Sequence, residues 1–185
     1  MKSNIIKSLR LTLVLTVLLC VLYPVFIALA GKLSPGKGDG ETIIINGKMV
    51  GYANIGQKFD QPQYFWGRPS AVDYNAAGSA GSNKGPTNPD YLKQVSNRVD
   101  TLLKYHPYLK RKDIPADMVT ASGSGLDPDI SPAGATIQVR RVAQNRGLAE
   151  EQVARLVKQH TEKPLFGPQT VNVLKLNIAL DALKK

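Results

Sequence analysis

The run from Leu11 to Ala30 constrains this chain more than any other feature, because it holds twenty residues without a charge and follows Lys2, Lys7 and Arg10. At about 1.5 Å per residue, a helix of that length spans roughly 30 Å, the thickness of a bilayer's hydrocarbon core. Thr12, Thr16, Cys20, Tyr23 and Pro24 are its polar or helix-disfavouring members, and a lipid-facing helix tolerates each of them. One membrane-spanning helix is expected at 11–30. A cleaved signal peptide is the competing reading, since Ala28-Leu29-Ala30 before Gly31 meets the small-x-small rule, but a signal core is typically about 7 to 15 residues. The length favours a retained anchor. Lys2, Lys7 and Arg10 outweigh Lys32 and Lys37, so residues 1–10 are expected in the cytoplasm and the bulk of the chain outside, as a single-pass protein of the cytoplasmic membrane.

Charge narrows the partners. The chain has 185 residues, with 24 Lys+Arg against 14 Asp+Glu and a formal charge of +10. The first thirty residues hold three of the basic side chains and no acid, leaving 21 basic against 14 acidic side chains, a net +7, on the outer part. Such a balance points to anionic partners: nucleic acid, lipid head groups or an acidic protein surface. A hydrophobic content of 43% excludes intrinsic disorder. The lone Cys20, inside the expected anchor, excludes a disulfide framework, and His106 with His160 leaves little for metal chemistry. No metal is expected.

Beyond the anchor, 31–40 reads as a Gly/Lys/Ser/Pro linker and 41–185 as one extracytoplasmic domain. Thr42-Ile43-Ile44-Ile45 and Met49-Val50-Gly51-Tyr52 flank Asn46-Gly47, a hairpin signal. Tyr64-Phe65-Trp66 reads as a second extended segment, and 73–89, with almost no large apolar side chain, as a long loop. Asn88-Pro89-Asp90 opens a helix that carries Tyr91, Val95, Val99 and Leu102 on one face and stops at His106-Pro107. Ser131-Pro132 predicts another helix, ending near Arg146-Gly147, and Val153, Leu156, Val157 and His160 mark a third. From Asn172 the tail reads as a helix with Val173, Leu176, Leu180 and Leu183 on one face; Leu174, Leu176 and Ile178 also alternate like a strand, and the length favours helix. The fold class is α+β: an N-terminal transmembrane helix, then a domain with a small β-hairpin or sheet and several packed helices.

Catalytic constellations fail on inspection. Gly31 to Gly38 has the spacing of a phosphate loop up to Lys37, but Gly38 stands where a Ser or Thr must hold magnesium, and no strand precedes it. Ser34-Pro35-Gly36-Lys37 fits a Ser-x-x-Lys pattern without its companion motifs. Ser122, Gly123, Ser124 and Gly125 form a small-residue run able to aim N–H groups at an anion, the weak candidate for a cofactor contact. Asp127 and Asp129 give two carboxylates, too few for calcium. Phe65, Trp66 and Arg68 combine residue types that anchor interfaces with large core aromatics. Residues 140–158, with Arg140, Arg141 and Arg146 near Gly147, have the spacing of a helix-turn-helix. A membrane-anchored DNA-binding protein is therefore the alternative, opposed by Glu150-Glu151 at the start of its reading helix and by the outside location. No nucleic-acid partner is expected.

The chain also resembles the KdpC family, the C subunits of the Kdp potassium-transporting P-type ATPase. The markers are Val50-Gly51 with Ile55-Gly56-Gln57, Tyr64 to Ala71, and Gly81 to Pro89. Others follow at Pro115 to Pro128, Arg146-Gly147-Leu148, His160-Thr161 and Val171 to Leu174, and the resemblance runs from the anchor to Asp181. It departs at Asp129, where family members usually carry His, and at Lys84, where an apolar residue is usual. The resemblance implies an accessory subunit without catalytic residues of its own. It would assemble with a channel-like potassium-translocating subunit, an ATP-hydrolysing subunit and a small fourth subunit. It also implies a catalytic chaperone that raises the ATP affinity of the hydrolytic subunit, so ATP would enter only through that partner. Partner contacts are expected in the polar loops, with Phe65, Trp66, Arg68, Asn83, Asn88, Asp127 and Asp129 as candidates.

Overall fold

The computed structural model describes residues 2–34 and 36–183. Pro35 of the expected linker and of the Ser-x-x-Lys pattern, and Lys184 and Lys185 of the expected domain, lie outside the described residues. The chain divides into two compact units, Met1–Ile43 and Ile44–Lys185.

The first unit is one long helix. It runs as α1 (Lys2–Val17), a π-helical turn (Leu18–Leu22) and α2 (Tyr23–Gly31). Pro24 lacks the N–H that would bond the carbonyl four residues back, and the wider turn sits where the ladder loses that donor. Within the helix Ser3–Gly31 an 18-residue window reaches mean hydropathy 2.7, and none of that window is buried. Such an apolar surface is stable in lipid, not in water. After it, Ser34 Oγ donates to Gly31 O at 2.7 Å and accepts from Gly38 N–H at 3.3 Å, with Lys37 and Gly38 at positive φ. This is a turn rather than the strand-to-helix junction a phosphate loop requires.

β1 (Thr42–Ile45) and β2 (Lys48–Tyr52) form a two-stranded sheet, and Asn46 and Gly47 between them take φ of 51° and 76°, as the hairpin signal predicts. A second, antiparallel sheet has the order β3 (Asp129–Ile130), β5 (Thr170–Asn172), β4 (Thr161–Glu162). Ile130 lies opposite Val171, which in turn faces Thr161.

Among the described residues, five α-helices complete the second unit: α3 (Pro89–Tyr105), α4 (Pro132–Thr136), α5 (Val139–Arg146), α6 (Glu150–Gln159) and α7 (Val173–Ala182). Three of them start on side-chain caps: Asn88 accepts from Tyr91 N–H and Ser131 from Gly134 N–H, both expected from the sequence, and Asn172 accepts from Lys175 N–H. Gly147 ends α5 at φ 63°, left-handed space that favours glycine. The core gathers Phe65, Ile130, Val142, Val153, Val171, Leu176 and Leu180.

Three expectations are corrected. Tyr64 to Trp66 is no strand; its backbone bonds to side chains instead of a neighbouring strand. The helix expected from Ser131 to Arg146 breaks after Thr136, because Gln138 turns its amide inward onto Trp66 O and Gly134 O. Leu183 lies just past α7 and is exposed, whereas Leu174 takes a buried place on that helix.

Leu176 is wholly buried and Leu183 is 41% exposed. Leu176→Ala is expected to lower unfolding stability by about 3 kcal/mol, measured by denaturant titration of the full chain in detergent. Leu183→Ala is expected to stay within about 0.5 kcal/mol of the parent.

Candidate functional site

The segment from Pro62 to Trp66 is irregular backbone, yet it is buried at Phe65 and half-buried on either side, where N–H and C=O groups cut off from water need partners. Side-chain amides supply them. Phe65 N–H donates to Asn177 Oδ1 at 2.8 Å and Asn177 Nδ2 donates back to Phe65 O at 3.0 Å. Trp66 N–H donates to Gln138 Oε1 at 2.8 Å, and Gln138 Nε2 returns to Trp66 O at 3.1 Å. Each amide copies the paired bonds of an adjacent strand, from α7 on one side and the α4–α5 junction on the other.

Arg141, on α5, completes the clamp. Its Nη1 donates to Pro62 O and, at 3.0 Å, to Tyr64 O; its Nη2 donates to Gln138 Oε1 at 2.7 Å and its Nε to His106 Nε2 at 2.9 Å. The guanidinium carbon lies 4.0 Å from the centre of the Trp66 ring. Arg141 is 2% exposed and pairs with no carboxylate among the described residues. Burial lowers its pKa to about 10, which leaves it charged at neutral pH. Nearby Arg146 donates Nε to Gln63 O at 2.8 Å and pairs with Asp181 at 2.7 Å.

His106 is fixed as one tautomer by its neighbours. The arginine N–H can only donate, so Nε2 accepts from Arg141, and Nδ1–H donates to Leu102 O at 2.8 Å. Burial, with a smaller effect from Arg141, pushes its pKa down to about 4, against the Leu102 hydrogen bond.

Beyond Trp66 the chain passes through a second tied region. Arg68 Nη1 pairs with Asp127 at 2.9 Å, while Arg68 Nε is buried without a partner. Tyr74 hydroxyl donates to Arg68 O at 2.6 Å, and its pKa rises to about 12 through burial and the nearby Asp127 charge. Ser70 Oγ donates to Gly125 O at 2.7 Å. Gly125 has φ 69°, and a Cβ there would lie 2.6 Å from Val72 and 2.8 Å from Ala80 O. A cleft of about 490 Å³ opens between this region and α3, with Trp66, Arg68, Lys58, Arg98, Thr101 and Tyr105 among its walls.

The candidate residues fall into different roles. Phe65 is fully buried and serves the core. Trp66 and Arg68 share the cleft. Asn83 is exposed at φ 51°, and Asn88 caps α3. Asp127 holds Arg68 with one oxygen and accepts from Asp129 N–H with the other at 3.1 Å. Asp129 has its pKa raised by burial, then by Asp127 and Glu162. In the 122–125 run, Ser122 N–H goes to Pro69 O, Gly125 N–H to Ser122 Oγ, and the following Leu126 N–H to Ser124 Oγ. Two of the four N–H groups of the run, those of Ser122 and Gly125, are thus engaged inside the fold. The DNA-binding alternative loses its cations: Arg141 and Arg146 are buried in the clamp, and Arg140 stacks on Tyr108 and lies 3.6 Å from Glu150.

Sequence reasoning missed Gln138, Asn177, Arg141 and His106 as a set. Asn177 did carry a signal, a lone amide among the residues from Val173 to Leu180, where Lys175 is the only other polar side chain. It also missed Leu165 and Phe166, 91% and 88% exposed between Pro164 and Gly167.

A family model described as "K+-transporting ATPase, c chain" matches residues 5–182. The chain belongs to the KdpC family. It is 62% identical over 182 residues to a Potassium-transporting ATPase KdpC subunit of Flavobacterium johnsoniae, covering 98% of this chain and 100% of the relative. A KdpC subunit of Flavobacterium psychrophilum is 63% identical over 183 residues, with the same coverage. One from Caldanaerobacter subterraneus is 47% identical over 190 residues, covering 100% of this chain and 98% of the relative.

The buried histidine sets a pH dependence. In the unfolded chain a histidine titrates near 6.5, while His106 in the fold resists protonation until about 4. Stability is therefore expected to be level above pH 6.5 and to fall as pH drops from there towards 4. The loss amounts to roughly 3 kcal/mol if this group acts alone. Asp129, with its raised pKa, offsets part of the fall in the carboxylate range. Thermal unfolding across pH 4 to 8 checks this, and His106→Asn should flatten the curve.

Proposed function

We propose that this chain is a non-catalytic accessory subunit of a potassium-transporting ATPase, holding the pump together from the outer face of the cytoplasmic membrane. The observation that carries the reading is the match over nearly the whole chain to proteins named as KdpC subunits, at 62% identity for one of them. The helix at Ser3–Gly31 anchors it, with the N-terminus inside as the basic flank directs. Its partners are the channel-like potassium-translocating subunit, the ATP-hydrolysing subunit and a small fourth subunit.

The chemistry of the domain supports a scaffold. Its most elaborate polar constellation, around Arg141, is buried and spent on holding backbone. A raised ATP affinity of the hydrolytic subunit, as the family resemblance implies, would then arise through the assembled complex. No nucleotide contact by this chain's own residues enters the proposal.

Removal of this chain is expected to abolish potassium-stimulated ATP hydrolysis by the purified complex, with loss of the other subunits from the preparation. A fully active complex without it would refute the scaffold role. Robust ATP hydrolysis by the purified chain alone would refute the non-catalytic one.

A further inference from the structure

We propose that the cleft between α3 and the loops at Lys58–Tyr74 is the docking site for an acidic segment of a neighbouring pump subunit. In the complex, a carboxylate of that segment meets Arg98 and an apolar side chain packs against Trp66 and Tyr105. This inference rests on the accessory-subunit reading above and names the surface through which it operates.

Size and lining set the class of occupant. A volume of about 490 Å³ lies in the range of formed binding pockets, roughly 300–1,000 Å³. Trp66 and Tyr105 meet edge to face with centroids 4.9 Å apart. Tyr105 is 42% exposed although it belongs to the last turn of a helix whose other face is core. Partly buried Trp and Tyr flanked by Arg are the residues that most often anchor protein interfaces. The anchor is also rigid: Trp66 is held by Gln138 through its backbone, by Gln61 O through Nε1 at 2.9 Å and by Arg141 over its ring. A preorganised anchor loses little freedom on binding.

Charge selects the sign of the partner. Lys58 lies 2.7 Å from Asp73 and also feels Asp60, and Arg68 is engaged by Asp127. Arg98 lines the same cleft, donates to a carbonyl, Val119 O, at 3.0 Å, and pairs with no carboxylate among the described residues. Arg68 Nε is left without an acceptor. The α3 side of the cleft therefore presents an unneutralised cation, and the outer part as a whole is net basic. A carboxylate is the group that completes it. Asp60 and Asp73, across the cleft, disfavour a second acid there and so orient the segment.

The test uses the assembled complex, with a benzophenone amino acid at Thr101, an exposed cleft residue, and the same probe at Gln144, exposed and outside the cleft. Ultraviolet irradiation is expected to join Thr101, but not Gln144, to one other pump subunit, at a peptide carrying both an acid and a large apolar residue. Arg98→Gln should cut that cross-linking about tenfold. Thr101→Trp, a change at an exposed position that fills the cleft, should cut co-purification with the partner about tenfold in moderate salt. If the chain co-purifies with its partners but Thr101 gives no cross-link, the proposal falls and the accessory role stands. It falls equally if the cross-link is to lipid, to a second copy, or to a segment without an acid. If the chain does not co-purify with pump subunits at all, the accessory reading fails, and this inference with it.

Discussion

A buried guanidinium without a carboxylate organises this domain. Removing an arginine from water costs several kcal/mol, and Arg141 recovers that cost from four neutral acceptors and the face of Trp66. The acceptors come from separate parts of the chain: Pro62 and Tyr64 carbonyls, the Gln138 amide and the ring of His106. Arg141 thus joins the end of α3, the α4–α5 junction and the Pro62–Trp66 segment at one point. A leucine in its place would leave buried carbonyls without donors, so an apolar replacement cannot be neutral here as it is where both partners are removed together.

The same constraint explains why a segment with strand composition is not a strand. Tyr64-Phe65-Trp66 has β propensity, and its backbone does find the bonds a strand would find. They come from Asn177 and Gln138, because helices rather than strands pack against it. Propensity reports local preference, and the partner that satisfies it is set by residues 72 and 112 positions away in sequence.

Legibility in the sequence followed distance along the chain. Asn46-Gly47, the caps Asn88 and Ser131, and the apolar spacing of α3 and α6 act over a few residues, and each was readable. Nothing local in the sequence marks Gln138 and Arg141 as interior; the return of the Pro62–Trp66 segment makes them so. The break at Gln138 has the same origin, since nothing local stops the helix that Ser131 begins. Arg140, Arg141 and Arg146 show the error from the opposite side. Together they imitate a nucleic-acid patch, but two are buried and the third stacks on Tyr108 beside Glu150. Overall charge therefore overstated the cationic surface. Of the cleft residues, Trp66 and Arg68 stood out by residue type, while Arg98, Thr101 and Tyr105 lie outside the Tyr91, Val95, Val99 and Leu102 set that marks α3 in the sequence.

Clamp and cleft share one residue, and this ties the fold to its surface. Trp66 is bonded on its backbone by Gln138, covered on its ring by Arg141 and met at its edge by Tyr105, so the indole that reaches the cleft is immobilised by the core itself. His106 stands 5.9 Å from that ring and accepts from Arg141 only as the neutral imidazole. A proton on Nε2 would remove the acceptor and set a second cation against the guanidinium, which has no acid beside it to absorb the repulsion. Arg141 would then be held by backbone carbonyls and Gln138 alone, with the Trp66 face still above it. Loss of the clamp and loss of the anchor's rigidity are thus one event, driven by the same electrostatics that place an arginine among carbonyls instead of carboxylates.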